Sequence, residues 1–220
     1  MISAADVKAS VLASFAAAER IAEPYAHFIV RDVLPAAMLP AIAELPFEAP
    51  ALEGVSGTRE VHNKSRSYFD APSRRDHPAI EAFAEAFQDP EVIEAVERTF
   101  GADLSDTLLR IEYAQDTDGF WLEPHTDIGV KNFTMLLYLS DEPQHSALGT
   151  SIYADRDTHV GETPFAPNLA MIFVPSDRTW HGFERRPIEG VRRSVIINYV
   201  TQEWRAREQL AFPETPVKVA

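Results

Sequence analysis

The stretch Glu123-Pro124-His125-Thr126-Asp127 has the spacing in this chain that most suggests chemistry. Residues two apart on an extended strand point to the same face, so the imidazole and carboxylate of His-x-Asp stand side by side. Such a pair can occupy two adjacent positions around an octahedral metal. A second imidazole from a distant strand would complete one face and leave the opposite positions open to small ligands. His181, in Arg178-Thr179-Trp180-His181-Gly182-Phe183 beyond the apolar run Ala170–Val174, is placed to supply it. His-x-Asp alone is also the spacing of an ordinary hydrogen-bonded turn, so the context downstream has to decide.

That context is Arg192-Arg193-Ser194, which opens the β-branched run Val195–Val200. On an extended strand Arg192 and Ser194 share one face and Arg193 takes the other, unless a bulge exchanges them. A guanidinium beside a hydroxyl is a receptor for a carboxylate, which it grips through two parallel hydrogen bonds. An apolar strand interior would otherwise exclude such a charge.

The elements that must position these residues change character along the chain. Ser3 and Asp6 have the spacing of a capping box, and Val7, Val11, Leu12 and Phe15 then fall on one helical face. A short strand is expected over 27–33 and a helix over 35–45. Residues 48–67 mix Gly, Ser, Thr and charge, and read as a loop that could act as a lid. Ile80, Phe83, Ala84 and Phe87 mark another helix. A further one has Asp89 as N-cap, Pro90 at its first position and Gly101 just past its end. Beyond this, short apolar runs at 108–113, 119–124, 133–139, 150–153, 169–174, 179–183 and 193–200 are separated by turn residues that include Asp116, Gly149 and Gly190. Helices followed by regularly spaced strands predict an α+β chain with a β-sandwich or barrel core.

Composition narrows the chemistry. The 220 residues include no cysteine, which removes disulfides, iron–sulfur clusters and thiol nucleophiles, so a metal site must be built from His and carboxylate. With 34 acidic against 20 basic residues the net charge is −14, which repels phosphate backbones and argues against nucleic acid as a partner. No apolar run approaches the ~20 residues of a membrane span, and Val11–Ala18 lacks the basic flank of a signal peptide. These features, with the missing thiols, fit a cytoplasmic protein. Length and an ordinary apolar content suit one domain over 1–220, with a mainly helical flank in 1–105 and the metal-bearing core in 106–202.

From about Leu108 to Val200 the chain resembles the prolyl-hydroxylase-like branch of the Fe(II)/2-oxoglutarate-dependent oxygenase superfamily. The matching pieces are Ile111-x-Tyr113, Pro124-His125-x-Asp127, Thr134–Ser140, His181 and Arg192-x-Ser194, in the family's order. The resemblance implies a double-stranded β-helix (jelly roll) core flanked by N-terminal helices. It makes His125, Asp127 and His181 the Fe(II) ligands. Arg192, with Ser194 beside it, would bind the distal carboxylate of 2-oxoglutarate, joined by Tyr138, while Tyr113 would face the co-substrate. Tyr113 and Tyr138 read from the strands alone are equally core aromatics. The implied reaction uses O₂, releases succinate and CO₂, and hydroxylates a small-molecule or peptidyl substrate. Leu148-Gly149-Thr150-Ser151 stands where many relatives carry Gly-Gly-x-Thr, and Arg192 stands where several prolyl hydroxylases use Lys; both departures bear on the substrate.

Two other classes keep part of this pattern: a non-catalytic jelly-roll module with a structural metal, and a cupin-like metalloenzyme that needs no 2-oxoglutarate. Outside the triad, Asp155-x-Asp157-x-His159 is acidic enough for a second metal, with a solvated hairpin as the simpler reading. Asn63, Arg66 and Tyr68 are candidate substrate contacts. Lys131, Arg156, Arg178 and Arg185 could ring the mouth of the site. His27, His62, His77 and His145 have no partner at ligand spacing. The sequence does not read out the oligomeric state.

Overall fold

A computed structural model of the chain describes residues 2–50, 57, 66–127 and 129–218. Most of the loop expected at 48–67, Asn63 and His62 included, lies outside these. The helices are α1 (Ala4–Ala16), α2 (Met38–Ala43), α3 (Ala71–Asp76), α4 (Pro78–Gln88) and α5 (Pro90–Phe100). The strands are β1 (Glu19–Ile21), β2 (His27–Arg31), β3 (Ser67–Tyr68), β4 (Leu108–Asp116), β5 (Leu122–His125), β6 (Lys131–Tyr138), β7 (Ser151–Tyr153), β8 (His159–Glu162), β9 (Leu169–Phe173), β10 (His181–Phe183) and β11 (Arg192–Val200).

Helix ends follow their local chemistry. At α1 the Ser3 hydroxyl accepts from the Asp6 amide and the Asp6 carboxylate accepts from the Ser3 amide, satisfying two donors that the helix start leaves without partners. Asp89 caps α5, Pro90 opens it, and Gly101 closes it in the left-handed conformation at φ 76°. Val7, Val11 and Phe15 of α1, Phe83 and Phe87 of α4 and Ile93 of α5 are fully buried. Each contributes on the order of 2 kcal/mol through removal of its side chain from water.

The helices cover one face of a seven-stranded antiparallel sheet of order β1-β2-β9-β6-β11-β4-β3. A four-stranded antiparallel sheet, β5-β10-β7-β8, faces its other side. The strands from β4 to β11 make a single long hairpin. β7 pairs with β8 at its tip, followed by β6 with β9, β5 with β10, and β4 with β11. The ribbon then coils so that β6 also meets β11 and β7 meets β10.

Alternation along β11 sorts the two sides of the large sheet. Val195, Ile197 and Tyr199 point to the helices, where the Tyr199 hydroxyl donates to the Phe87 carbonyl at 2.6 Å. Arg192, Ser194 and Ile196 point between the sheets. β4 is buried along its whole length, with Ile111 and Tyr113 toward the helices and Glu112, Ala114 and Asp116 between the sheets.

Several elements differ from the sequence reading. Asp116, taken as a turn residue, is the last residue of β4 and is buried. Its charge is held there by arginines on both sides, which a reading by polarity alone cannot see. β8 lies in the region read as a solvated hairpin; it is an edge strand whose one large apolar residue, Val160, is exposed, so no alternation marks it. β1, β3 and α3 are too short to show a period. Among the described residues no helix is long and apolar enough to cross a membrane.

Candidate metal centre

The β5–β10 ladder sets His181 directly opposite His125. Each imidazole places Nδ1 2.9 Å from the carbonyl two residues before it, Glu123 for His125 and Thr179 for His181. A carbonyl can only accept, so Nδ1 carries a proton, and in the neutral imidazole Nε2 presents its lone pair. The two Nε2 atoms converge on one carboxylate: His125 Nε2 lies 3.7 Å from Asp127 Oδ1 and His181 Nε2 lies 3.9 Å from Asp127 Oδ2. The three potential ligand atoms all lie within 4.8 Å of one another. Asp127 Oδ2 is held at 2.8 Å by Lys131 Nζ and accepts from the Thr134 hydroxyl at 3.1 Å. Two fixed imidazole lone pairs and a carboxylate converging in a half-dry pocket fit a divalent transition-metal ion. Among the described residues this is the one cluster of ligand side chains that could hold a metal.

The triad opens into a pocket between the sheets that Arg192 and Ser194 also line. The register Arg192↔Asp116, Arg193↔Gln115, Ser194↔Ala114 is continuous, so no bulge exchanges the two arginines and Arg192 is the inward one. Its Nη1 pairs with Asp116 Oδ2 at 2.6 Å and its Nε donates to the Leu148 carbonyl at 2.8 Å. Arg193 lies on the helix side with Tyr113. Burial pushes the Tyr113 phenol up to about 12, against the pull of Arg193.

The two tyrosines are placed differently from the triad. Tyr138 is fully buried, its ring stacked on Phe165 and its hydroxyl 2.7 Å from both the Thr150 and Thr163 hydroxyls. Tyr113 is not brought to the pocket. Strand parity turns it to the helical face, where its hydroxyl donates to the Ala43 carbonyl at 2.8 Å. The residues that β4 does send inward are Glu112 and Asp116, with Arg110 buried on the same parity, and the sequence reading passed over them. Their signal was available: charged residues at alternate positions of an otherwise apolar strand.

The remaining candidates fall as follows. Arg66 lines the pocket, between Asp116 and Glu112. Tyr68 lies under the Arg110 guanidinium at 4.9 Å. Lys131, expected at the mouth, is buried against Asp127: the β6–β11 register shifts between Phe133 and Lys131, which takes Lys131 off the helix-facing parity of Phe133 and Met135. Arg185 covers the Trp121 ring at 4.4 Å, while Arg156 and Arg178 are exposed. Asp155 accepts from the amides of Asp157 and Thr158 in an exposed turn, and these bonds hold its carboxyl below the usual range. His27 and His145 are buried, with ring nitrogens against the carbonyls of Tyr25 and Glu189.

Solved structures match this antiparallel two-sheet core. No protein-family model and no curated protein sequence matches the chain. A prolyl 4-hydroxylase of Phytophthora capsici superposes with a TM-score of 0.60 at 14% identity, covering 93% of this chain and 67% of that one. The Pseudomonas putida prolyl-4-hydroxylase gives 0.56 at 14% identity over 89% of this chain and 99% of that one. HygX of Streptomyces hygroscopicus, solved with nickel and 2-oxoglutarate bound, gives 0.51 at 14% identity over 88% and 90%. The chain therefore has the fold of prolyl 4-hydroxylases and related 2-oxoglutarate oxygenases, the branch its motifs resemble.

Proposed function

We propose that this chain is a non-haem Fe(II)- and 2-oxoglutarate-dependent dioxygenase, one cytoplasmic domain built on a double-stranded β-helix, that hydroxylates a small-molecule or peptidyl substrate. The observation that carries the reading is the shared pocket: two imidazoles with their Nε2 lone pairs turned to Asp127, and on another wall Arg192 and Ser194. The nickel and 2-oxoglutarate held by HygX on the same fold support it.

His125, Asp127 and His181 would hold the iron, which with 2-oxoglutarate and O₂ supplies the oxidising power for hydroxylation. The chain's own work is positioning. The Glu123 and Thr179 carbonyls fix the imidazole tautomers, and Lys131 with Thr134 occupies Asp127 Oδ2, steering Oδ1 toward the ligand position. Arg192 would receive the far carboxylate of 2-oxoglutarate, sharing its charge between that group and Asp116. Phe120, Leu122, Leu136 and Phe183 keep the pocket poor in water, which strengthens every polar contact inside it.

Anaerobic titration of 2-oxoglutarate into the Fe(II)-loaded protein tests the reading. A saturable visible charge-transfer band, absent in His125→Ala and needing about tenfold more 2-oxoglutarate in Arg192→Met, is expected. Iron bound with no band would leave a cupin-like centre that does not use 2-oxoglutarate, and no iron at all would leave a binding module.

A further inference from the structure

The far end of the pocket departs from the pattern that the motifs suggest. Arg192 is pinned there from several sides. Its Nε donates to the Leu148 carbonyl and its Nη1 to Asp116. Its guanidinium also lies 4.8–5.5 Å from the ring centres of Tyr138, Phe165 and Phe183. Tyr138 stands opposite Ser194 on β11, so it too points between the sheets. Its hydroxyl stops short of the pocket all the same. Tyr138 is fully buried, and the side chain that joins Arg192 and Ser194 on the pocket wall is Thr150. The backbone builds this arrangement. Thr150 leads into β7 and Thr163 follows β8, and the Thr163 amide donates to the Thr150 carbonyl at 3.0 Å. A Cβ on Gly149 would overlap the Thr163 carbonyl, so the two segments close up only because that residue has none.

Counting protons gives the hydroxyl cluster a direction. The Tyr138 oxygen lies 2.7 Å from the Thr150 and the Thr163 hydroxyl, and the Thr150 amide donates to Thr163 Oγ1 at 3.0 Å. Two hydrogen bonds thus join three hydroxyls, each with one proton, and one proton is left over. If Thr150 donates to Tyr138 and Tyr138 to Thr163, the spare proton is on Thr163. If both threonines donate to Tyr138, it is on the phenol. Either way it is buried and faces no further acceptor among the described residues. If Thr163 donates to Tyr138 and Tyr138 to Thr150, the spare proton is on Thr150, at the pocket, where an anion can accept it. Only this order leaves no donor stranded in the interior, and each bond in it polarises the next toward the pocket.

We propose that Thr150, not Tyr138, supplies the hydroxyl that joins Arg192 and Ser194 in holding the far carboxylate of 2-oxoglutarate. Tyr138 and Thr163 stand behind it as positioning residues, ordering its proton toward the ligand. This rests on the oxygenase reading of the pocket. It replaces the direct phenol contact that the motif resemblance implies with a relay of three hydroxyls ending at a threonine.

The test is anaerobic titration of 2-oxo acids into the Fe(II)-loaded protein, followed by the visible charge-transfer band of the chelate. 2-Oxoglutarate is compared with 2-oxopentanoate, which has the same chain length and no far carboxylate. Thr150→Val is expected to weaken 2-oxoglutarate about tenfold and leave 2-oxopentanoate unchanged, and Thr150→Ser to restore the affinity. Tyr138→Phe is expected to weaken 2-oxoglutarate severalfold on its own and not at all beside Thr150→Val, because its effect passes through the threonine. A Thr150→Val protein with unaltered 2-oxoglutarate affinity, or with equal loss of both acids, overturns the inference. So does a Tyr138→Phe loss that persists undiminished beside Thr150→Val, which returns the phenol to direct contact. In each of these cases a saturable band in the unsubstituted protein leaves the oxygenase reading standing. Absence of that band overturns both.

Discussion

Asp127 has two oxygens and two sets of partners. Lys131 and Thr134 converge on Oδ2, while Oδ1 turns to His125. This division makes the carboxylate directional, and the expected cost of losing it is measurable. Lys131→Met should weaken metal binding by about tenfold to a hundredfold, read by competition with a chelator, while His125 and His181 keep their carbonyl bonds. An unchanged affinity would mean that the ammonium merely neutralises an otherwise bare carboxylate. At this scale the sequence is legible where alternation alone decides. His125 and Asp127 share a face because they are two apart, and Arg192 with Ser194 faces the pocket because the β4–β11 register is unbroken. It is not legible where parity has to be known in advance. Ile111-x-Tyr113 and Arg110-x-Glu112 interleave on β4, and nothing in the strand itself says which set looks inward. The structure turns Arg110 and Glu112 in and sends Tyr113 to the helices. The Tyr138 hydroxyl, for its part, is taken by two threonines, one of them from the far side of the β7–β8 hairpin.

Elements with strong local chemistry were readable, and those without it were not. The capping box of α1 and the Asp89-Pro90…Gly101 frame of α5 mark helix ends through groups the backbone needs at those points. β8 and β1 offer no apolar stripe because each lies at a sheet edge, where little is buried. The pairing of β5 with β10 rests on a detail that no propensity scale records. A Cβ built on Gly182 would lie 2.7 Å from the Leu122 carbonyl, so the strands approach only because that residue has no side chain. Gly182→Ala should push β5 outward and move His125 with it. We expect metal affinity to fall at least tenfold, with a stability loss of about 1–3 kcal/mol from overpacking. A thermal melt on the metal-free protein and a chelator competition separate the two effects. A variant that loses stability but binds metal normally would show that the close approach serves the fold alone.

At the level of the molecule, the succession of helices then strands announces a helical layer on a sheet core, and the apolar faces of α1, α4 and α5 do cover the outer side of the large sheet. The split into two sheets and their strand order are not written in any single run, because long-range pairing sets them. One global property follows from a residue outside the site. His27 is buried at the start of β2, and burial holds its imidazole below the ordinary value of 6.5, with the bond to the Tyr25 carbonyl pulling the other way. The unfolded chain therefore binds a proton near pH 6.5 that the folded chain refuses. The stability from neutral His27 is fully present above that pH and declines as pH falls toward the depressed folded value. Urea denaturation between about pH 8 and pH 5 should show this decline, and His27→Phe should flatten it. An unaltered pH dependence in the variant would assign the effect to other groups.

The register that sets His125 opposite His181 also fixes when, in the life of a folding chain, the candidate metal site can exist. The two histidines sit on paired rungs of the long hairpin, with its tip and the β6–β9 rung between them in sequence. No fragment that stops short of β10 contains the site, and a partly zipped ribbon does not hold the ligands together. Pairings this distant form late, after the entropy of closing the intervening chain has been overcome. A metal captured there would stabilise the native state far more than the route leading to it. It would slow unfolding, leave the rate of folding nearly untouched, and act on the finished ribbon as a clasp.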